Sequence, residues 1–219
     1  NYRYQSYNFV SHDEHDKSIL QMNKNYLLIL FYSASGSTKN IAHAIADGAE
    51  EEQVHVKIRT VPKVSASNEK IEKMLPEKGE IFCTKEELIN CSGLAIGSPT
   101  RFGAMAASLK YFLDSTGDIW ASNSLQDKPG IAFTSTGSMH GGQETTIFNL
   151  ITYMMHQGMY ILGTPYSVEQ LHSTLGGGTP YGPSHVEIIN NANNLTPEEY
   201  TIANYSGKRI AKLIKKINA

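Results

Sequence analysis

Three stretches of this chain concentrate hydroxyl and glycine residues in a way that suits binding of a flat, phosphorylated ligand. The first, Ser33, Ala34, Ser35, Gly36, Ser37 and Thr38, joins an apolar run to a helical pattern. Hydroxyls and backbone N–H groups at a helix N-terminus can surround a phosphate dianion, and the helix dipole adds favourable potential. The string Gly36-Ser-Thr-Lys39 is not a Walker loop, because the earlier glycine is missing, and the spaced glycines of a dinucleotide turn are missing too. Taken alone, a Ser/Gly turn capping a helix would look the same.

The second stretch is Gly97-Ser-Pro-Thr-Arg-Phe-Gly103. Pro99 stiffens its backbone, Gly103 lets it turn, and Thr100, Arg101 and Phe102 stand at its rim. Backbone amides of such a loop can hydrogen-bond the edge of a planar heterocycle while Phe102 covers a face. An ordinary turn with a surface arginine is the plainer alternative. The third stretch, Ser135, Thr136, Gly137, Ser138, Met139, His140, Gly141 and Gly142, has three glycines and three hydroxyl residues in eight positions. Glycines let a backbone approach a flat ligand closely. His140 is either a catalytic acid or a solvent-facing histidine. Together the three describe a site that fits FMN.

The elements that must position them follow from periodicity. Tyr26 to Tyr32 is a continuous apolar run, the mark of a strand buried on both faces. Lys39 to Glu51 reads as a helix with Ile41, Ala44, Ile45, Gly48 and Ala49 on one stripe. Val54 to Thr60 alternates as a more exposed strand, and residues 61–83 form a long polar insertion. Thr84 and Glu87 make a capping box. Strands at Gly93–Gly97, Gly130–Thr134 and Met159–Leu162 alternate with helices at Ala104–Leu113 and Glu144–Gln157. A second capping box, Thr196 to Glu199 with Pro197 at the first helical position, opens the last helix. This alternation predicts an α/β fold: a doubly wound, five-stranded parallel sheet in the order 2-1-3-4-5 with helices on both faces. Ligands of such folds sit beyond the carboxyl ends of the strands, where all three loops fall.

With 219 residues, 40% of them apolar and 18% charged, the chain suits one domain with a sizeable core. A net charge of -2 gives no reason to expect a nucleic acid partner. The basic run Lys208, Arg209, Lys212, Lys215 and Lys216 reads as a solvated helix face. Cys83 and Cys91 are too far apart for a metal knuckle or a dithiol motif, and no metal site is expected. There is no apolar run of about 18 residues and no basic start followed by an apolar core, so neither a membrane span nor a secretory signal is expected. A cytoplasmic location is the default. Residues 1–24 are polar and read as a mobile N-terminal extension, native or appended, which leaves 25–219 as the domain. Within that extension, His12, Asp13, Glu14, His15 and Asp16 support at most an adventitious metal site.

The strings at 97–103, Phe-Leu-Asp-x-Thr-Gly (112–117), Trp-Ala-Ser (120–122), His-Gly-Gly-Gln-Glu (140–144) and Gly-Gly-Thr-Pro-Tyr-Gly (177–182) carry a resemblance. In this order they resemble the tryptophan-repressor-binding-protein family of flavodoxin-like NAD(P)H:quinone oxidoreductases, from about Tyr26 to Ile217. The resemblance implies FMN as cofactor and a homotetramer whose active sites draw on neighbouring subunits. It implies that Ser33 to Thr38 hold the FMN phosphate, that Pro99 to Gly103 meet the isoalloxazine ring, and that Ser135 to Gly141 line its other edge. His156 would approach the flavin from another subunit, to polarise the ring or a bound carbonyl. Trp120 would cover the nicotinamide or quinone together with Phe102. Ser35 matches a nicotinamide contact that is often Tyr or Asn in the family, so a stacking surface is missing there. The loop at Ser138-Met139-His140 is one residue longer than in some members. The plainer alternatives are a core or interface aromatic for Trp120 and a helix-end residue for His156.

The implied reaction is a two-electron, ping-pong transfer from NADH or NADPH, through FMN, to a quinone. Rival readings are a flavodoxin-type electron carrier and a non-catalytic interaction protein. The near-neutral charge and the 61–83 insertion speak against the carrier, which docks through strong acidity.

Overall fold

The computed structural model describes residues 25–64, 79–187 and 194–219. In chain order the elements are β1 (Tyr26–Phe31), α1 (Ser37–Glu51), β2 (His55–Thr60), α2 (Lys85–Asn90), β3 (Gly93–Arg101) and β4 (Ala104–Met105). Then come α3 (Ala107–Asp114), α4 (Gly117–Ala121), β5 (Pro129–Thr136), α5 (Gln143–His156), β6 (Tyr160–Ile161), α6 (Gln170–Ser173), β7 (Ser184–Val186) and α7 (Pro197–Ile217).

Every residue of β1 is buried, as its unbroken apolar run predicts. The side chains split by parity. Leu27, Ile29 and Phe31 pack with Ile41 and Ile45 of α1 and with Ile210 and Ile214 of α7. Leu28 and Leu30 pack on the other face with Leu109 of α3 and Leu150 of α5. One sheet therefore has two cores, and each buried leucine or isoleucine contributes about 1.5–3 kcal/mol of transfer free energy. On the first face α1 and α7 cross very closely. A Cβ on Gly48 would stand 1.9 Å from the Asn204 carbonyl oxygen, and one on Gly207 2.0 Å from that of Ile45.

The sheet runs β2-β1-β3-β5-β6, all parallel, which is the expected order 2-1-3-4-5 for those five strands. Two short strands extend it: β4 pairs antiparallel with β3, and β7 pairs parallel with β5. Both capping boxes form as expected, Thr84 with Glu87 and Thr196 with Glu199, the latter with Pro197 at the helix start.

Three boundaries differ from the sequence reading. The helix expected from Ala104 begins only at Ala107, because Met105 pairs with Thr100 and the Ser98 hydroxyl holds the Ala106 amide at 2.8 Å. The third strand runs on to Arg101 instead of ending at Gly97. The fifth keeps only Tyr160 and Ile161 in the ladder, since β5 offers it just Pro129 and Gly130. The readings made for residues 1–24, including the His12–Asp16 cluster, and for most of the 61–83 insertion lie outside the described residues.

Candidate functional site

Gly36 is the N-cap of α1, in the left-handed region at φ 109°. Its amide donates to the Ser33 hydroxyl at 3.1 Å, which curls the loop beneath the helix start. Ser37 and Thr38 are buried in the first turn, and no acidic residue stands there. The Thr38 and Ser135 hydroxyls are 2.8 Å apart, so the N-terminus of α1 sits over the carboxyl end of β5. Ala34 and Ser35 stay exposed. Lys39 is engaged elsewhere, with its ammonium 3.0 Å from Glu80.

The stretch 97–103 is a hairpin and not a free loop. Arg101 pairs with Ala104, so Phe102 and Gly103 are the two turn residues, with φ 52° and 78°. Two positive φ values are the signature of a type I′ turn, which normally takes Asn-Gly. Here a phenylalanine holds the strained position, and its side chain is fully exposed. Strain kept by an exposed aromatic points to a binding role. Below it, the Thr100 hydroxyl meets that of Thr146 at 2.7 Å, tying the hairpin to α5.

In the third stretch Ser135 and Thr136 belong to β5 and are buried, while Gly137 to His140 turn outward. The Thr136 hydroxyl donates to the Ser138 carbonyl at 2.8 Å, and the Gly141 amide to the same oxygen at 3.0 Å. Gln143 donates to the Met139 carbonyl at 2.9 Å. Gly142, at φ 97°, packs so closely on the hairpin that a Cβ there would lie 3.0 Å from the Gly103 Cα. A Cβ on Gly137 would meet nothing within 4 Å, so that backbone is open to a ligand. All three stretches thus meet at one sheet edge. Hydroxyls and the helix N-terminus suit a phosphate there, and the hairpin and the 137–141 turn suit a planar ring, so the residues present fit FMN.

Trp120 and His156 are not brought to that edge by their own chain. His156 is the exposed last residue of α5, whose 14 residues put it about 20 Å from the third stretch. Trp120, 56% exposed on α4, lies at the same far end. The Thr116 hydroxyl beside it meets the Tyr153 hydroxyl of the last turn of α5 at 2.9 Å.

The sequence reading did not single out α4 or the buried network beneath the site. Ser184 of β7 donates to Gln143 at 2.5 Å, and one turn of the 174–178 segment is held by the Glu199 carboxylate. Glu199 accepts from the amides of Gly177 (2.8 Å), Val186 (3.0 Å) and Thr196 (2.8 Å), and lies 2.8 Å from His185 Nδ1. Burial works to raise its pKa, but the His185 bond and the amides outweigh that and hold it below the usual carboxylate range. Only the Thr196–Glu199 box was legible, because the other donors are more than a helical turn away in sequence. The segment Gly177 to Gly182 packs on β5: a Cβ on Gly182 would stand 2.0 Å from the Ala132 carbonyl oxygen. Burial pushes the thiol of Cys91 up to about 11 and that of Cys83 further. Among the described residues no helix is long and apolar enough to cross a membrane.

A parallel sheet in this order, with a phosphate-type loop after its first strand, defines a flavodoxin-like α/β protein. The family model described as NADPH-dependent FMN reductase matches residues 27–172. A curated protein of Rhodopseudomonas palustris named NAD(P)H dehydrogenase (quinone) is 38% identical over 200 residues, covering 88% of this chain and 98% of the relative. One of the same name from Acidithiobacillus ferrooxidans is 35% identical, over 87% and 98%. The chain belongs to the NADPH-dependent FMN reductase family and is similar to these quinone dehydrogenases. Among solved structures, a flavodoxin, WrbA-like protein from Agrobacterium tumefaciens matches with a TM-score of 0.63 at 19% identity, covering 88% of this chain and 98% of that one. A flavodoxin from the domain Archaea gives 0.57 at 23%, over 87% and 99%. Both similarities establish the fold.

Proposed function

We propose that this chain is an FMN-dependent NAD(P)H:quinone oxidoreductase. The observation that carries the reading is the meeting of Ser33–Thr38, Pro99–Gly103 and Ser135–Gly141 at one sheet edge under an exposed Phe102. Relatives named NAD(P)H dehydrogenase (quinone) support it. Bound FMN would supply two-electron chemistry between a nicotinamide, NADH or NADPH, and a quinone. The chain's own part is placement. Hydroxyls and amides of 33–38 take the phosphate, the hairpin and the 135–141 turn fix the ring edges, and Phe102 excludes water from one face. Ser35, exposed within the 33–38 loop, meets the nicotinamide without offering a stacking surface. One shared face for donor and acceptor makes the kinetics ping-pong.

Trp120 and His156 complete this site from a neighbouring subunit of a homotetramer. Their position at the far end of α5 from their own loops supports that arrangement, as does an exposed apolar stripe on α5. Phe148 and Met155 of that stripe are 46% and 64% exposed, and Tyr181 lies against Phe148 at 4.6 Å between ring centroids. Trp120 then stacks on the substrate and His156 polarises the ring or the bound carbonyl. The two unbridged cysteines suit a cytoplasmic location.

The test adds FMN to the purified chain, desalts it and follows the visible spectrum through anaerobic NADH and then benzoquinone. Retained flavin that bleaches and returns is the expected result. Retained flavin that ignores NADH and NADPH would move the function to an electron carrier. No retained flavin in a folded protein would remove the reading.

A further inference from the structure

α7 begins beside β7 and ends under the amino ends of the strands. A Cβ on Gly93, the first residue of β3, would stand 2.7 Å from the Ile214 side chain and 3.3 Å from that of Pro129, the first residue of β5. This end of α7 therefore lies at the sheet edge opposite the three stretches. Leu162 directly follows the edge strand β6, and its amide donates to the Gly130 carbonyl at 2.9 Å. Between Leu162 and α7 is a cavity of about 290 Å³. That is just under the usual range of ligand pockets, about 300–1,000 Å³, and leaves room for one or two rings.

Leu162 and Leu213 give the cavity an apolar wall and pack on the core of the same face. Tyr205, Lys208, Arg209, Lys212 and Lys216 line the rest from one side of α7. Two of these cations are already paired: Lys208 lies 2.6 Å from Glu51 and Lys212 3.3 Å from Glu52. Glu52 is shared with Lys215 at 3.2 Å. The side chains of Tyr205, Arg209 and Lys216 make no hydrogen bond or ion pair among the described residues. Lys216 stands in the last turn, where a cation suits the helix dipole. Arg209 stands about two turns earlier, half-buried, with neither that reason nor an acceptor. Polar groups withdrawn from water normally find a partner. In a chain of net charge -2, the basic run Lys208 to Lys216 thus outweighs the carboxylates of Glu51 and Glu52 beside it and is only partly a solvated face.

We propose that this cavity binds a small organic anion, a carboxylate or phosphate head carried on one or two rings, at a site separate from the flavin edge. The planar fork of Arg209 takes the head, and Lys216 adds a second free charge. The Tyr205 hydroxyl supplies a further donor, and the ring lies on Leu162 and Leu213.

Titration calorimetry of the full chain, with and without stoichiometric FMN, tests this with naphthoate and naphthyl phosphate. At least one should bind saturably and equally well in both conditions, and the tighter of the two gives the head group. Naphthamide lacks the charge and acetate lacks the rings, so each should bind at least about tenfold more weakly. Arg209→Gln should weaken binding by about tenfold. Lys216→Gln, at an exposed position, should weaken it several-fold and serves if the first variant does not fold. Lys215→Gln, outside the cavity, should bind as the unaltered chain does. Methyl NMR signals of Leu162 and Leu213 should shift on adding the tighter anion. No saturable binding, displacement of the anion by FMN, unchanged affinity in the 209 and 216 variants, or unmoved Leu162 and Leu213 signals would each overturn the inference. Failure to retain FMN would remove the cofactor reading and leave this one standing.

Discussion

Thr38 and Ser135 lie 97 residues apart in the chain and share a 2.8 Å hydrogen bond between buried hydroxyls. That bond clamps the first turn of α1 to the end of β5 and so joins the 33–38 loop to the third stretch. Thr38→Val keeps the shape and strands the Ser135 hydroxyl. We expect a loss of about 1–3 kcal/mol in stability from the unsatisfied group, together with weaker FMN binding. Denaturant midpoints and flavin fluorescence titration check both. Unchanged FMN affinity would count against Ser33–Thr38 as the phosphate site.

Phe102 occupies a position that prefers asparagine. Phe102→Asn creates the favoured Asn-Gly pair and should raise stability by about 0.5–1 kcal/mol, while substrate binding and turnover fall. Thermal melts and steady-state kinetics should move in opposite senses. A variant that gains stability and keeps full activity would leave the aromatic without a function.

His156 ends α5, and Thr116, at the start of the helix that carries Trp120, is tied to Tyr153 in the last turn of α5, remote from the three stretches. Trp120→Ala should raise the quinone KM or lower kcat several-fold with FMN affinity unchanged. In the proposed shared site the neighbour supplies Trp120, so mixed oligomers of Trp120→Ala and Thr38→Val subunits should be more active than the average of the two parents. Activity equal to that average would sink the shared-site arrangement.

α1 and α7 touch through backbone. A methyl at Gly207 would stand 2.0 Å from the Ile45 carbonyl oxygen, which has nowhere to move inside a helix. Gly207→Ala should therefore separate the helices and cost about 1–3 kcal/mol or more. A melting temperature equal to that of the unaltered chain would contradict the crossing.

The Glu199 carboxyl is depressed in the folded chain, so its stabilisation is complete above the ordinary value of 4.5 and is lost as pH falls below that, through the folded value. Glu199→Gln replaces one acceptor oxygen with a donor that faces amides. It should cost about 1–3 kcal/mol at neutral pH and flatten the acid limb of the stability curve. Stability against pH, followed by circular dichroism in denaturant, reports both.

Much of the fold is legible because its signals act over short distances. The six buried residues of β1 announce a central strand, and a Thr-x-x-Glu string closes on itself within one turn, so β1, α2 and the start of α7 follow from neighbouring residues alone. Parallel strands joined by helices then leave few possible orders, and the loops after the first, third and fourth of the five expected strands must share an edge.

The sequence by itself therefore determined the fold class, the strand order and the three stretches that form the candidate site, because burial period, caps and turn residues are read locally. Tertiary structure alone decided that Gly97 to Arg101 is strand and Phe102 a hairpin tip, since the pairing of Thr100 with Met105 competes with a helical start at Ala104. It alone placed Trp120 and His156 away from their own loops and set His185 against Glu199. Those relations depend on which backbones lie side by side, and contacts across a sheet or between helices leave no periodic trace in the chain.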